Sequence, residues 1–475
     1  MSQRFDNWIG GEWVGSQEID PIVDPFTGEV VGEMALASAA DLERAIGAAE
    51  DAFEVTRDQS TWEREVMLRR TAEGIGARRA EIVERMIAES GKPRKFADAE
   101  VTRAISTFTL AAEETKRFGG EVLPVDIMET STGYFSLTRR FPRGPVAAIS
   151  PFNFPLNLVA HKVAPALATG NTVVVKPPMQ SPLTSLILAE VLADAGVPHG
   201  AVNVLHMVPE VAERLATDER FTMLTFTGSA KVGWMLKAKS GIKPVLLELG
   251  GNAGMIVHRD ADLGWARERA AVGGFAHSGQ VCIKVQRLLV DTAIADEWIP
   301  AFVDRVDDLR MGDPRDPETV VGPLIDDAQA DRVEAWIRKA LDQGAELLTG
   351  GRREGRFIRP VVLTGVRRDL EVWSEEVFGP VVVVERYHDF EEAVARIDDS
   401  RYGIHAGVFT HDIRRIDYAF RNLTVGGVIV NDYPTFRVDN FPYGGVKRSG
   451  LGREGVRYAM EAMTEPRVLI FDLNH

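Results

Sequence analysis

A single cysteine, Cys282, occurs in the 475 residues, and it sits in a run of small and polar residues from Gly273 to Arg287, GGFAHSGQVCIKVQR. A thiol that acts as a nucleophile needs a lowered pKa or a neighbouring base, donors for the oxyanion that forms on the attacked carbonyl, and something to take the acyl group. Three stretches hold those parts. Leu246 to Asn252, LLELGGN, supplies Glu248, an acid among apolar neighbours, followed by two glycines that let backbone pass close by. Ile149 to Pro155, ISPFNFP, supplies the Asn153 amide in a proline-bounded turn. Phe226 to Gly233, FTGSAKVG, reads as a strand end, a glycine turn and a helix start, the local geometry that receives a phosphate. Each part also has a plain structural reading: an inert buried thiol, a strand-end acid, and an asparagine bonding its own turn.

These segments follow one another in order with TVVVK ending at Lys176, EEVFGPV from Glu375 to Val381, and PYGGVKRSG from Pro442 to Gly450. The set resembles the aldehyde dehydrogenase superfamily, and within it the lactaldehyde, semialdehyde and non-phosphorylating glyceraldehyde-3-phosphate dehydrogenase branch, from Trp8 to Ile470. The resemblance implies NAD- or NADP-dependent oxidation of a small polar or anionic aldehyde to its acid. Cys282 would form a thiohemiacetal that loses hydride to a nicotinamide, Asn153 and the Cys282 N–H would hold the oxyanion, and Glu248 would activate the water that cleaves the thioester. It implies a cofactor lying along Ile149, Ser150, Pro151 and Phe152, against Lys176 and Met179, and over Phe226, Thr227, Gly228, Ser229 and Val232. Leu249 and Gly250 would flank it, with Glu376 and Phe378 at the nicotinamide ribose.

Two departures from the family pattern bear on the cofactor. Met179 stands where many relatives carry a glutamate that bonds the ribose 2′-hydroxyl and repels a 2′-phosphate, which leaves NAD and NADP both open. His206 to Arg214, HMVPEVAER, replaces a stretch where relatives place glycines, and predicts a stiffer loop. For the substrate, Arg103, His161, Arg437 and Tyr443 are the candidates, the two arginines for an anion and His161 as a polar group where relatives have a bulky aromatic. Val281 occupies the place of an arginine found in relatives that bind glyceraldehyde 3-phosphate. The run GLGREG from Gly450 to Gly455 fits a dinucleotide pattern, yet no strand and helix follow it, and it reads as a glycine turn. A non-redox thiol esterase and a binding protein that kept the fold are the alternative readings.

Composition narrows the setting. With 45% hydrophobic and 26% charged residues the chain is an ordinary globular protein, long enough for two or three domains. Its net charge of −15 disfavours nucleic acid and requires local arginines wherever an anion binds. One cysteine makes neither an intramolecular disulfide nor a multi-cysteine metal site, which suits the cytoplasm, and no metal is expected. No membrane span is expected, because the least polar stretch, Val146 to Val175, is interrupted by Asn153, Asn157, His161, Lys162 and prolines.

The elements that must position these groups alternate. After a hairpin-rich lead-in, helices are predicted over Ser38–Asp58, Thr61–Glu89 and Pro93–Phe118. From Pro145 strands and helices alternate through MLTFTGS, and again from GMIVH through Gly427–Asn431, with helices over Leu263–Ser278 and Trp298–Leu309. That pattern predicts an α/β protein with parallel sheets, a Rossmann-like cofactor-binding domain (1–122 and 143–250) and an α/β catalytic domain (251–448). Tyr134–Arg140 reads as a strand, and the resemblance pairs it with the C-terminal strand in a small oligomerisation hairpin (123–142 and 460–475) of a homodimer or homotetramer.

Overall fold

The segments PVAAI and TVVVK, Pro145–Ile149 and Thr172–Lys176, carry apolar residues on both faces, as strands of a sheet covered on both sides must, and every one of their residues is buried. In the computed structural model, which describes residues 3–474, they lie at the centre of an eight-stranded sheet. Five parallel strands form its body, in the spatial order Val245–Glu248, Met223–Thr227, Pro145–Ile149, Thr172–Lys176, Val202–Val204. The chain enters at Pro145–Ile149, runs outward in one direction, then returns to add Met223–Thr227 on the other side. The order therefore reverses between Pro145–Ile149 and Met223–Thr227, and a crevice opens beyond their carboxyl ends, where α/β sheets bind ligands. Antiparallel strands close both edges: Gly450–Leu451 against Val245–Glu248, and the hairpin Asn7–Ile9 with Glu12–Val14 beyond Val202–Val204.

A second sheet of seven strands, parallel but for its edge pair Glu346–Thr349 with Val361–Thr364, carries Ala253–Val257 and Val285–Asp291 side by side near its middle. The long strand Tyr134–Pro142 pairs with Thr464–Asp472 in an unbroken antiparallel register, Pro142 opposite Thr464 and Tyr134 opposite Asp472. The mixed α/β architecture is thus as the alternation predicts.

Several boundaries differ. Thr61–Glu89 is two helices, Thr61–Ala77 and Arg79–Ser90, joined at Arg78 with φ −99° and ψ 16°; no proline marks the break, so periodicity runs through it. The helix after Gly250 stops at Phe275 rather than Ser278, because His277 and Ser278 adopt left-handed φ values of 50° and 57°. The predicted Trp298–Leu309 helix begins earlier, at Thr292, where the Asp291 carboxylate caps it by accepting from Ala293 N–H; Pro300 inside the helix disguises the upstream half. GLGREG is no plain turn: its first two residues form the edge strand that clamps Leu247 and Glu248.

Candidate active site

Glu248 ends its strand between Thr227 on one side and Gly450 on the other, so its backbone is fixed by hydrogen bonds in both directions. Gly250 and Gly251 then pass through a gap too narrow for a side chain: a Cβ at Gly250 would strike the Glu376 carboxylate, and one at Gly251 the Cys282 carbonyl. The glycines of ELGG therefore bring Glu248, Glu376 and Cys282 together. Asn153 crosses from the other side, where its Nδ2 donates to the Gln280 carbonyl at 2.9 Å, so the turn after Pro145–Ile149 is tied to the loop that carries the thiol. An amide nitrogen has two N–H donors, and this bond uses one.

These groups share a cavity of 620 Å³. Its walls include Cys282, Glu248 and Asn153, and also Ile149, Ser150, Pro151, Phe152, Lys176, Met179, Phe226, Thr227, Gly228, Ser229, Val232, Leu249, Gly250, Glu376 and Phe378. Arg103, Arg437 and Tyr443 line it as well. Residues spread over more than 330 positions of sequence thus meet at the switch point of the first sheet. Arg332, Gln329, Phe154 and Thr435 also line it, and nothing in their local sequence sets them apart.

Cys282 is partly open to this cavity, yet deep enough that burial pushes its thiol up to about 11, against the opposing effect of the Tyr443 hydroxyl 3.2 Å from Sγ. In the resting protein the sulfur is therefore a thiol, and it needs a base. Both oxygens of Glu248 are buried without a hydrogen-bond partner, and burial, reinforced by the nearby Glu454 charge, holds its pKa well above the usual carboxylate range. Glu376 accepts from Gly251 N–H at 2.9 Å and is pushed up to about 7, again chiefly by burial.

His161 is not in the cavity wall. The helix Asn157–Thr169 is buried at every position, and His161 faces a polar cluster behind Tyr443. Arg437 Nη2 lies 2.6 Å from His161 Nδ1, which makes Nδ1 an acceptor and leaves Nε2–H to donate to Asp439 at 2.9 Å. Arg437 Nη2 is also 3.1 Å from Glu454, Lys162 donates to Glu454 at 3.2 Å, and Arg103 donates to Asp439 at 2.7 Å. The expectation that His161 faces the substrate is thus corrected: its ring spaces two carboxylates and presents no atom to the cavity. Lys162 and Arg437 hold Glu454 below the usual range despite its burial, and His161, Arg103 and Arg437 do the same for Asp439.

Glu454 and Asp439 are the functional neighbours that the sequence did not reveal. Glu454 lies inside the GLGREG run, and only a fully buried charged pair, His161-Lys162 in an otherwise apolar helix, hints at a waiting carboxylate. Arg437 sets its guanidinium 3.6 Å from the centre of the Tyr443 ring, whose hydroxyl meets Cys282, so the cation stands one ring away from the sulfur.

A second buried device supports Asn153. Lys92 Nζ donates to Glu100 at 2.5 Å and to the Asn153 carbonyl at 2.8 Å, and packs 3.5 Å from the Phe154 ring centre. The other Glu100 oxygen accepts from Leu156 and Asn157 N–H at 2.9 and 3.0 Å, which secures the first turn of the following helix.

The model of the aldehyde dehydrogenase family matches residues 13–469. This chain belongs to the aldehyde dehydrogenase family. A 3-sulfolactaldehyde dehydrogenase of Priestia megaterium is 40% identical over 99% of the chain and 98% of its own length. Aldehyde dehydrogenase 21 of Physcomitrella patens, solved with the reaction product succinate, superimposes with a TM-score of 0.97 at 42% identity, covering 99% of this chain and 98% of that one. Glyceraldehyde-3-phosphate dehydrogenase GapN of Methanocaldococcus jannaschii, solved with NADP, gives 0.92 at 40% identity over 96% of this chain and all of its own. The chain is accordingly an aldehyde dehydrogenase of the NAD(P)-dependent type. Among the described residues no helix is long and apolar enough to cross a membrane.

Proposed function

We propose that this aldehyde dehydrogenase oxidises a short aldehyde that carries a negative charge, through a thioester on Cys282. The observation that carries the substrate class is the pair Arg103 and Arg437: both guanidinium side chains line the cavity of Cys282, and that of Arg103 is 27% exposed. A carboxylate or sulfonate reaching these guanidiniums forms charge-assisted hydrogen bonds worth about 1.5–3 kcal/mol each. The named relatives support it, since sulfolactaldehyde, succinate and glyceraldehyde 3-phosphate are all anions.

The residues present fit a dinucleotide. Lys176 Nζ, buried and drawn down to about 8, donates only to its neighbour's carbonyl, Pro177 O at 2.9 Å, and keeps donors for ribose hydroxyls. Ser229 caps the helix Ala230–Lys239, whose first N–H groups face the cavity end where a pyrophosphate would lie. Glu376 would hold the nicotinamide ribose, with Phe378, at a left-handed φ of 47°, beside it. When bound, the nicotinamide accepts the hydride. The nearest side chains do the rest. Cys282 passes its proton to water entering the open cavity as the carbon–sulfur bond forms, and that water carries it to solvent. The former carbonyl oxygen takes the charge against the second Asn153 N–H and the Cys282 N–H, from which no described group accepts. Departure of hydride restores the carbonyl as a thioester. Glu248, once ionised, takes a proton from water that adds to this carbon, the carbon–sulfur bond breaks, and the thiol regains a proton as the acid leaves.

The same reading assigns the first sheet with its helices to the cofactor and the second to catalysis, and it makes the chain a homo-oligomer of the cytoplasm. Thr464–Asp472 is an edge strand of its three-stranded sheet and exposes Val468, Leu469, Ile470 and Phe471. The test is turnover of succinic semialdehyde, 3-sulfolactaldehyde, glyceraldehyde 3-phosphate, lactaldehyde and hexanal, each with NAD and NADP, followed at the reduced-nicotinamide absorbance. Anionic aldehydes are expected to give the highest kcat/KM. A preference for hexanal, or ester cleavage with no cofactor reduction, would defeat the proposal.

A further inference from the structure

A second cavity, of 800 Å³, shares no lining residue with the one that holds Cys282. It lies where the strand Tyr134–Pro142 leaves the body of the protein, and six arginines line it: Arg57, Arg64, Arg139, Arg140, Arg143 and Arg467. Its one acidic lining residue is Asp58. In a chain of net charge −15 this concentration of positive charge runs against the average.

Three of the six are accounted for inside the fold. Arg143 pairs with Glu465, Arg57 lies 3.3 Å from Glu54, and Arg140 donates to the Glu461 carbonyl and Thr464 hydroxyl at 3.2 and 3.1 Å. Arg64, Arg139 and Arg467 have no carboxylate partner among the described residues. The guanidiniums of Arg139 and Arg467 lie over the Phe141 ring, at 5.4 and 4.3 Å from its centre. The Nε of Arg64 is buried with no acceptor. Burial first, and the Arg139 charge second, pull the Arg64 pKa down, the mark of a cation held near another with no anion between. The nearby helix end is not the reason for the cluster, because Ser60 and Glu63 already satisfy each other's N–H groups in a capping box there.

We infer that this second cavity binds the phosphoryl group of a small phosphorylated metabolite. Guanidinium forks match phosphate oxygens two at a time, and a dianion answers unpaired cations better than a single carboxylate does. The volume falls in the range of whole-metabolite sites, and Phe53, Phe118 and Phe141 provide an apolar wall for the rest of the molecule.

The test uses the full-length enzyme saturated with NAD or NADP, whichever binds more tightly, so that the cofactor site of the main cavity is filled, and titrates inorganic phosphate and AMP by calorimetry and thermal shift into the parent, Arg64→Met, Arg139→Met and Arg103→Leu. Arg64→Met keeps the buried stem and removes an unpaired charge, so it folds, and melts no lower than the parent. Phosphate or AMP is expected to bind the parent and Arg103→Leu, raising their melting temperatures. Arg64→Met and Arg139→Met are expected to bind at least tenfold more weakly. AMP stronger than phosphate places the metabolite body in the cavity, and equal binding makes free phosphate the ligand; both support the site. No binding to the parent at millimolar ligand, or loss in Arg103→Leu instead, overturns it. So does an unchanged affinity with an altered oligomeric state in Arg64→Met, which would assign the cluster to carboxylates of a second copy.

Discussion

Replacing Lys92 by methionine tests whether the oxyanion donor is held from behind. The ammonium is fully buried between Glu100 and the Asn153 carbonyl, and the thioether keeps most of its stem against Phe154. Glu100 would then be a buried carboxylate without its counter-ion, though still bonded to Leu156 and Asn157 N–H. Removing one member of such a pair costs about 3–5 kcal/mol in stability. Glu100→Gln added to Lys92→Met relieves the uncompensated charge, and the double variant should be more stable than Lys92→Met alone. The catalytic effect is separate. Freed from Lys92, the Asn153 backbone shifts, and turnover should fall towards, and no further than, the roughly hundredfold to thousandfold loss expected when an oxyanion donor is removed. The assay is kcat and KM for the best aldehyde in the parent, Lys92→Met, Asn153→Ala and the combined Lys92→Met/Asn153→Ala protein, with unfolding by denaturant of these and of Lys92→Met/Glu100→Gln alongside. If Lys92 acts through Asn153, then kcat falls while KM holds, and Lys92→Met costs nothing further in the Asn153→Ala background. Additive losses in kcat, or a Lys92→Met protein with normal kcat, would refute the reasoning.

Four other outcomes follow from the site. In the cofactor-free enzyme the alkylation rate of Cys282 should climb with pH and reach its midpoint only near pH 11, where the buried thiol ionises; a plateau below pH 8 would contradict a protonated resting thiol. Because burial raises the Glu248 pKa and Glu248 works as a base, thioester hydrolysis should speed up as pH rises beyond the usual carboxylate range, and Glu248→Gln should abolish that rise while leaving a burst of reduced cofactor. Arg103→Leu should raise KM for anionic aldehydes by roughly ten- to a hundredfold, from a lost charge-assisted bond of about 1.5–3 kcal/mol, and leave hexanal unchanged; parallel losses on both would show a structural role. Lys176 has a folded pKa of about 8, below its ordinary 10.5, so its buried charge opposes folding below pH 8 and that opposition fades between the two values. Cofactor-free Lys176→Met should therefore be more stable at neutral pH, by up to about 3 kcal/mol, with the gain shrinking towards pH 10.5, even as KM for the cofactor rises; a destabilised variant would count against it.

The sequence by itself determined the α/β alternation, because strands such as TVVVK and PVAAI must be covered on both faces and their apolar runs show it. It also marked the parts that line the main cavity, from Cys282, Glu248 and Asn153 to Lys176 and Phe378, since turn chemistry and close glycine packing leave local traces in PFNFP, FTGS and ELGG. What it could not show is which charges face each other. Asp439, Glu454, Lys92 and Glu100 sit in stretches that read as ordinary surface, and their meaning arises from partners 8 to 336 positions away. His161 was legible as a polar residue in an apolar helix, but whether its ring met substrate or two carboxylates depended on how the segment 437–454 folds back upon that helix. Backbone preference is local and can be read along the chain, whereas the pairing of buried charges is settled only by which faces come to pack together.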